Sequence, residues 1–101
     1  MAIEPGTMNK VEAKRIIQAE LEKFRAKPYA ELAKLIGAGP ITRERTGATG
    51  KWYQIEIEAF WDAGPGGDIR VLGSIDDGGL RAFSPLTDDF IKSPSDEFVG
   101  E

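Results

Sequence analysis

The chain has 101 residues, with 13 Lys or Arg against 17 Asp or Glu, and contains neither cysteine nor histidine. That length suits one domain folding on one core without a covalent staple. The two missing residue types exclude disulfide frameworks, thiolate and imidazole catalysis, and Cys- or His-ligated metals, leaving carboxylates, Lys, Arg, Tyr and hydroxyls, with Mg²⁺ or Ca²⁺ as the common metals that oxygen ligands could hold.

Residues 1–8 include Glu4, Pro5 and Gly6, lack the apolar run of a signal peptide, and are expected to form a flexible N-terminus. Asn9-Lys10-Val11-Glu12 has the pattern of a capping box, in which Asn9 accepts from the amide of residue 12 and Glu12 reaches back to that of Asn9. A helix follows, with Ala13, Ile16, Ile17, Leu21 and Phe24 on one stripe as far as about residue 26. Pro28 interrupts it and suits the first turn of a second helix, lined by Tyr29, Leu32, Ala33 and Ile36 and stopped by Gly37 as a C′ residue. Pro40 to Thr46 reads as a strand charged enough to be an edge.

After the turn Gly47-Ala48-Thr49-Gly50, residues 51–86 read as a three-stranded antiparallel meander. In Trp52–Trp61 polar and apolar residues alternate, so Tyr53, Ile55, Ile57, Ala59 and Trp61 share the buried side. Residues 62–68 reverse the chain into Ile69–Ile75, again apolar or small at odd positions. Asp77-Gly78 fits a two-residue type I′ turn, which sets Ile75 opposite Leu80, Ser74 opposite Arg81 and Leu72 opposite Phe83. The first reversal sets Glu58 opposite Leu72 and Phe60 opposite Arg70. Residues 87–101 are turn-rich and expected to be an irregular C-terminal segment. The expectation is a single α+β domain over residues 1–101, with the N-terminal helix and the short second helix packed on a four-stranded antiparallel meander. In element order this is similar to a cystatin-like wrap, a likeness of architecture that brings no activity with it.

By parity Phe60, Leu72 and Phe83 sit together on the sheet face away from the helices, with Trp52 at the far end of its strand. Such a cluster needs a cover, since each side chain gains roughly 1.5 to 3 kcal/mol on burial. The C-terminal segment could fold back over it with Phe90, Ile91, Phe98 or Val99, or a subunit or partner could do so. Charge divides along the chain: residues 1–51 carry ten bases against six acids, and residues 52–101 three against eleven. Basic helices lying beside acidic loops would neutralise this within one molecule.

The chemical motifs reduce mostly to structure. Gly47-Ala48-Thr49-Gly50-Lys51 lacks the first glycine, the Ser or Thr and the following helix of a phosphate-binding loop. Glu56 and Glu58 share a strand face at ~6.5 to 7 Å, a separation that could serve an acid and base pair, but Arg70 and Arg81 are expected to neutralise them across strands. Asp62, Asp68, Asp76 and Asp77 lack EF-hand spacing and read as turn formers, so no metal is assigned. Lys10, Lys14, Arg15, Lys23, Arg25 and Lys27 line a helix in a chain of pI about 4.9, which argues against nucleic acid.

Trp61-Asp62, Gly73-Ser74-Ile75-Asp76-Asp77-Gly78-Gly79, Arg81-Ala82-Phe83, Pro85-Leu86 and Asp88-Asp89-Phe90-Ile91 together resemble a family of small uncharacterised bacterial proteins over about the last half of the chain. The resemblance carries no established activity, cofactor or catalytic residue. The sequence therefore favours a non-enzymatic domain that binds a protein, or another copy of itself, through the outer sheet face, with Trp52, Phe60, Leu72 and Phe83 as anchors and Arg70 and Arg81 on the rim. The alternative is a small-ligand binder or enzyme with a pocket between helix and sheet that uses Tyr53 and Trp61. No run reaches the ~18 apolar residues of a membrane span, and a cytoplasmic protein with no cofactor and no membrane partner is expected.

Overall fold

The computed structural model describes residues 9–78 and 85–101. Helices α1 (Lys10–Arg25) and α2 (Tyr29–Leu35) precede strands β1 (Ile41–Thr46), β2 (Trp52–Trp61), β3 (Ile69–Asp76) and β4 (Leu86–Lys92). The strands form one antiparallel sheet in the order β1-β2-β3-β4. With both helices packed against that sheet, the fold is α+β.

The start of α1 meets half of the capping-box expectation. The amide of Glu12 donates to Asn9 Oδ1 at 3.0 Å, which satisfies one of the open donors of the first turn. The Glu12 carboxylate turns away from Asn9 and accepts from Tyr53 Oη at 2.8 Å and the Ala48 amide at 2.9 Å, tying the helix to β2 and to the β1–β2 turn. The stripe Ala13, Ile17, Leu21, Phe24 is buried as its spacing predicts, and α1 lies over β3 and β4. At Gly73 the backbone and helix approach so closely that an added Cβ would stand 2.8 Å from Ile17 Cδ1. Helix α2 buries Leu32 and ends at Leu35, with Gly37 beyond it at φ +81°, a conformation glycine adopts at little cost.

The β2–β3 register is as the alternation predicts: Glu56 faces Ser74, Glu58 faces Leu72 and Phe60 faces Arg70. The register beyond β3 differs. Ile75 pairs with Leu86, Ser74 with Thr87 and Leu72 with Asp89, instead of with Leu80, Arg81 and Phe83. Asp77-Gly78 does not close a two-residue hairpin. Asp76 Oδ1 accepts from the Gly78 amide at 2.8 Å, a local side-chain turn, and the partner strand begins only at Leu86. Phe83 and Arg81 lie outside the described residues. The segment from residue 87 is likewise not irregular throughout, because Thr87–Lys92 belong to β4.

Of the residues expected to cover the outer face, Ile91 lies on it as part of β4, and Phe90 and Phe98 do not. Phe90, opposite Val71, is buried on the helix side. Phe98 bridges to Lys92 and meets Phe90 edge-on, with ring centroids 5.9 Å apart, while the Arg25 guanidinium stands 4.0 Å from the Phe98 centroid. The tail thus closes the rim beneath the end of α1. Lys92, almost fully buried, donates to the carbonyls of Lys27 at 2.6 Å and Arg25 at 3.3 Å, placing a cation where a helix C-terminus favours one. Pro28 offers α2 no side-chain cap, and Asp96 Oδ1 fills that role by accepting from the Tyr29 amide at 2.6 Å.

Candidate functional site

The sheet has one face under the helices and one face that no described residue outside the sheet covers. Outward from β2 stand Trp52, Gln54, Glu56, Glu58 and Phe60, all exposed, while the odd positions from Tyr53 to Ala59 are buried. The pairing places Leu72 beside Glu58, and Arg70 between Phe60 and Ile91. Phe60, Leu72 and Ile91 therefore surround Arg70 on three adjacent strands, with Phe60 37% and Leu72 36% exposed. Asp89 and Ile91 enter this face because β4 runs from 86 to 92, a contribution invisible while that segment is read as irregular.

Arg70 is fixed within the cluster. It pairs with Asp89 and donates to Asp62 Oδ1 through Nε at 2.9 Å and Nη2 at 2.8 Å. Hydrogen bonds to Asp62 and Asp89 raise its already high pKa, so it is cationic at any working pH. Those two carboxylates, and not Glu56 or Glu58, are its partners, which corrects the expected cross-strand neutralisation. Among the described residues Glu56 and Glu58 make no hydrogen bond or ion pair.

Trp52 is not brought to the cluster. It stands eight residues from Phe60 along β2, roughly 27 Å at the usual rise. Its indole Nε1 donates to Glu44 Oε1 at 3.0 Å, and its ring covers Gly78. The turn aspartates have local roles: Asp62 holds Arg70, Asp76 the Gly78 amide and Asp77 the Lys51 ammonium at 3.2 Å. No group of three or more carboxylates placed to hold a metal ion occurs among the described residues.

Tyr53 is fully buried, and its pKa is pushed up to about 12, first by burial and then by its hydrogen bond to Glu12. The same bond, with that from Ala48, holds the Glu12 carboxyl below its ordinary value. Trp61 packs against Tyr29, with ring centroids 6.5 Å apart. A cleft of about 280 Å³ lies between α1 and β4, beside Arg25, Asp88 and Phe90. Another of about 340 Å³ lies between α1 and the β1–β2 turn, beside Arg15, Ile16 and Ala48. Neither is lined by Tyr53 or Trp61.

One buried group was not foreseen. Glu20 sits within the apolar stripe of α1, four residues after Ile16 and three after Ile17, and is 2% exposed. Its Oε1 meets Lys23 and Arg45, and its Oε2 finds no partner among the described residues. The interruption of an apolar stripe by a carboxylate was the available signal, and Arg45 on β1 answers it.

Comparison with protein-family models, with curated proteins and with solved structures finds no match to this chain. No helix among the described residues is long and apolar enough to cross a membrane.

Charge is divided in space as well as in sequence. Lys10, Lys14, Arg15 and Lys23 are exposed on α1, on one side of the sheet, whereas Glu44, Glu56, Glu58 and Asp89 point from the other. Between the two halves of the sequence the salt bridges Lys51–Asp77 and Arg25–Glu101 form, and among the described residues the outer face carries more acids than bases.

Proposed function

We propose that this domain is a non-enzymatic module that binds another protein through the outer face of its sheet. Phe60, Leu72 and Ile91 form the apolar anchor, and Arg70 is the polar group held among them. The observation that carries this reading is the asymmetry of the sheet: helices cover one face, and no described residue covers the other, where Trp52, Phe60 and Leu72 each stand more than a third exposed. With Phe60 and Leu72 already about two-thirds buried, covering what remains is worth roughly 0.5 to 1 kcal/mol each. A guanidinium already clamped by two carboxylates loses little freedom on contact. Trp52 is a separate, more distant anchor. A cytoplasmic setting accords with the absence of cysteine.

The test is selection from a displayed random-peptide library on the immobilised domain, counter-selected on the double variant Phe60→Ser/Leu72→Ser. Both side chains are outside the core, so circular dichroism should report a folded variant. Enriched peptides are expected to lose about ten-fold or more in affinity on the variant. A library yielding no binders, or binders indifferent to the two substitutions, would remove the proposal.

A further inference from the structure

We infer that the outer face takes a positively charged protein segment carrying apolar residues, and not a second copy of this domain; the inference rests on the reading of that face as a binding surface. The register assigns its charges. Glu44 points outward from β1, Glu56 and Glu58 from β2, Asp76 from β3 and Asp89 from β4, and among the described residues of these strands only Arg70 is a cation pointing the same way. Arg70 is committed to Asp62 and Asp89, Glu44 accepts from the Trp52 indole, and Asp76 accepts from the Gly78 amide. Glu56 and Glu58 are left without a hydrogen bond or ion pair among the described residues, side by side on β2 and next to the apolar cluster.

Along β2 a ligand meets, in order, an indole, an amide, two carboxylates and a phenyl ring at a spacing of roughly 6.8 Å. An extended segment repeats the side chains of one of its faces at the same spacing, so basic residues at two successive alternate positions followed by apolar ones can place cations on Glu56 and Glu58 while seating apolar groups on Phe60 and Leu72. A two-fold contact between copies would instead set this acidic face against itself, and like charges brought together disfavour such a partner. The competing contact is head to tail, with the acidic face of one copy on the basic side of α1 in the next, and it predicts salt-sensitive growth with concentration.

The experiment measures fluorescence anisotropy of a labelled, end-blocked ten-residue peptide that carries arginine, arginine, leucine and leucine at successive alternate positions with serine at the rest, beside its counterpart with glutamate in place of arginine. The proteins are the wild type, Glu56→Lys/Glu58→Lys, and Glu22→Lys/Glu31→Lys, which makes the same change in net charge on exposed helix positions. Each exposed attraction lost or repulsion gained is worth roughly two-fold. The basic peptide is therefore expected to bind with an affinity that falls as salt rises, and to weaken about ten-fold or more on the Glu56/Glu58 variant but about two-fold or less on the helix variant. The acidic peptide should not bind, and sedimentation equilibrium should show a monomer. Equal weakening by both variants, equal binding of the two peptides, or salt-sensitive self-association lost in Glu56→Lys/Glu58→Lys would each overturn the inference. Neutral or acidic library peptides that still depend on Phe60 and Leu72 would overturn the charge assignment while sparing the binding face. A library yielding none would remove both.

Discussion

Replacing Gly73 by alanine tests the closest approach of helix to sheet. The new methyl would stand 2.8 Å from Ile17 Cδ1, 3.2 Å from Ile17 Cγ1 and 3.3 Å from Leu21 Cδ2. Ile17 is fully buried and held by its neighbours, so it must leave its rotamer or α1 must move outward. Overpacking of this kind costs roughly 1 to 3 kcal/mol, partly offset by the ~0.4 to 1 kcal/mol gained when an unfolded chain loses a glycine. A net loss of about 1 to 2 kcal/mol lowers Tm by roughly 4 to 15 °C in a domain of this size. Ile17→Val alone costs ~0.5 to 1.5 kcal/mol, yet it deletes the atom nearest the new methyl. In the Gly73→Ala background it should therefore be neutral or stabilising, giving a coupling of about 1 kcal/mol in the double-mutant cycle. Urea unfolding followed by fluorescence and far-UV circular dichroism measures all four proteins. Strict additivity, or Gly73→Ala with wild-type stability, would refute the claim that this glycine sets the helix height.

Three further outcomes follow from other contacts. Because the Glu12 carboxyl is held below its ordinary value first by the Tyr53 hydroxyl, its contribution is present above the unfolded-state pKa and lost as pH falls through the folded one, so Tyr53→Phe should flatten the acid limb of stability against pH. At the alkaline end the folded Tyr53 keeps its proton up to about 12 while the unfolded one releases it near 10.0, so stability falls as pH rises between those values, a decline absent in Tyr53→Phe; unchanged limbs in a chemical-denaturation series would contradict both statements. Deleting residues 94–101 removes Phe98 from Phe90 and Asp96 from the Tyr29 amide, and should cost roughly 2 kcal/mol while leaving affinity at the outer face unchanged; lost affinity in a folded protein would place the tail on that face. Amide exchange should show protection within Leu86–Lys92, and protection in residues 80–86 instead would return the register to the one suggested by the Asp77-Gly78 turn.

Where one kind of residue faces one environment, the sequence was readable. Strand β2 alternates cleanly between core and water, so its boundaries, its inner residues and the partners of Glu58 and Phe60 followed from parity. The same holds for the stripe on α1 apart from Glu20. Strand β4 was obscured because its inner side carries Leu86, Asp88, Phe90 and Lys92 and its outer side Thr87, Asp89 and Ile91, which mixes apolar and charged groups on both faces and erases the period-two signal. The buried Lys92 is there to meet the carbonyls at the end of α1, a demand set by tertiary contact that no local pattern records. Asp77-Gly78 then supplied a plausible turn in the wrong place, since Asp76 uses the Gly78 amide for a turn of its own. For the candidate site, Phe60, Leu72 and Arg70 were legible from β2 and β3, whereas Asp89 and Ile91 became visible only with the true register.

The two outer strands are poorly suited to strand addition. An exposed edge invites strand addition unless charge, bulges or cover discourage it. Strand β1 carries Arg43, Glu44 and Arg45 in succession, so an added strand would lie against both signs of charge at once. Strand β4 carries Asp88 and Asp89, and its far end is already occupied, with Phe98 bridged to Lys92 and the Val99 amide donating to the Ile91 carbonyl at 2.9 Å. Both edges are thus guarded by features that would have to be displaced or neutralised before backbone pairing could begin. The outer face has no comparable guard: its apolar cluster is open, its guanidinium is fixed, and two of its carboxylates lack partners among the described residues. A contact through side chains across the face requires no rearrangement of the sheet, and it is there, not at the edges, that substitutions should alter binding without altering stability.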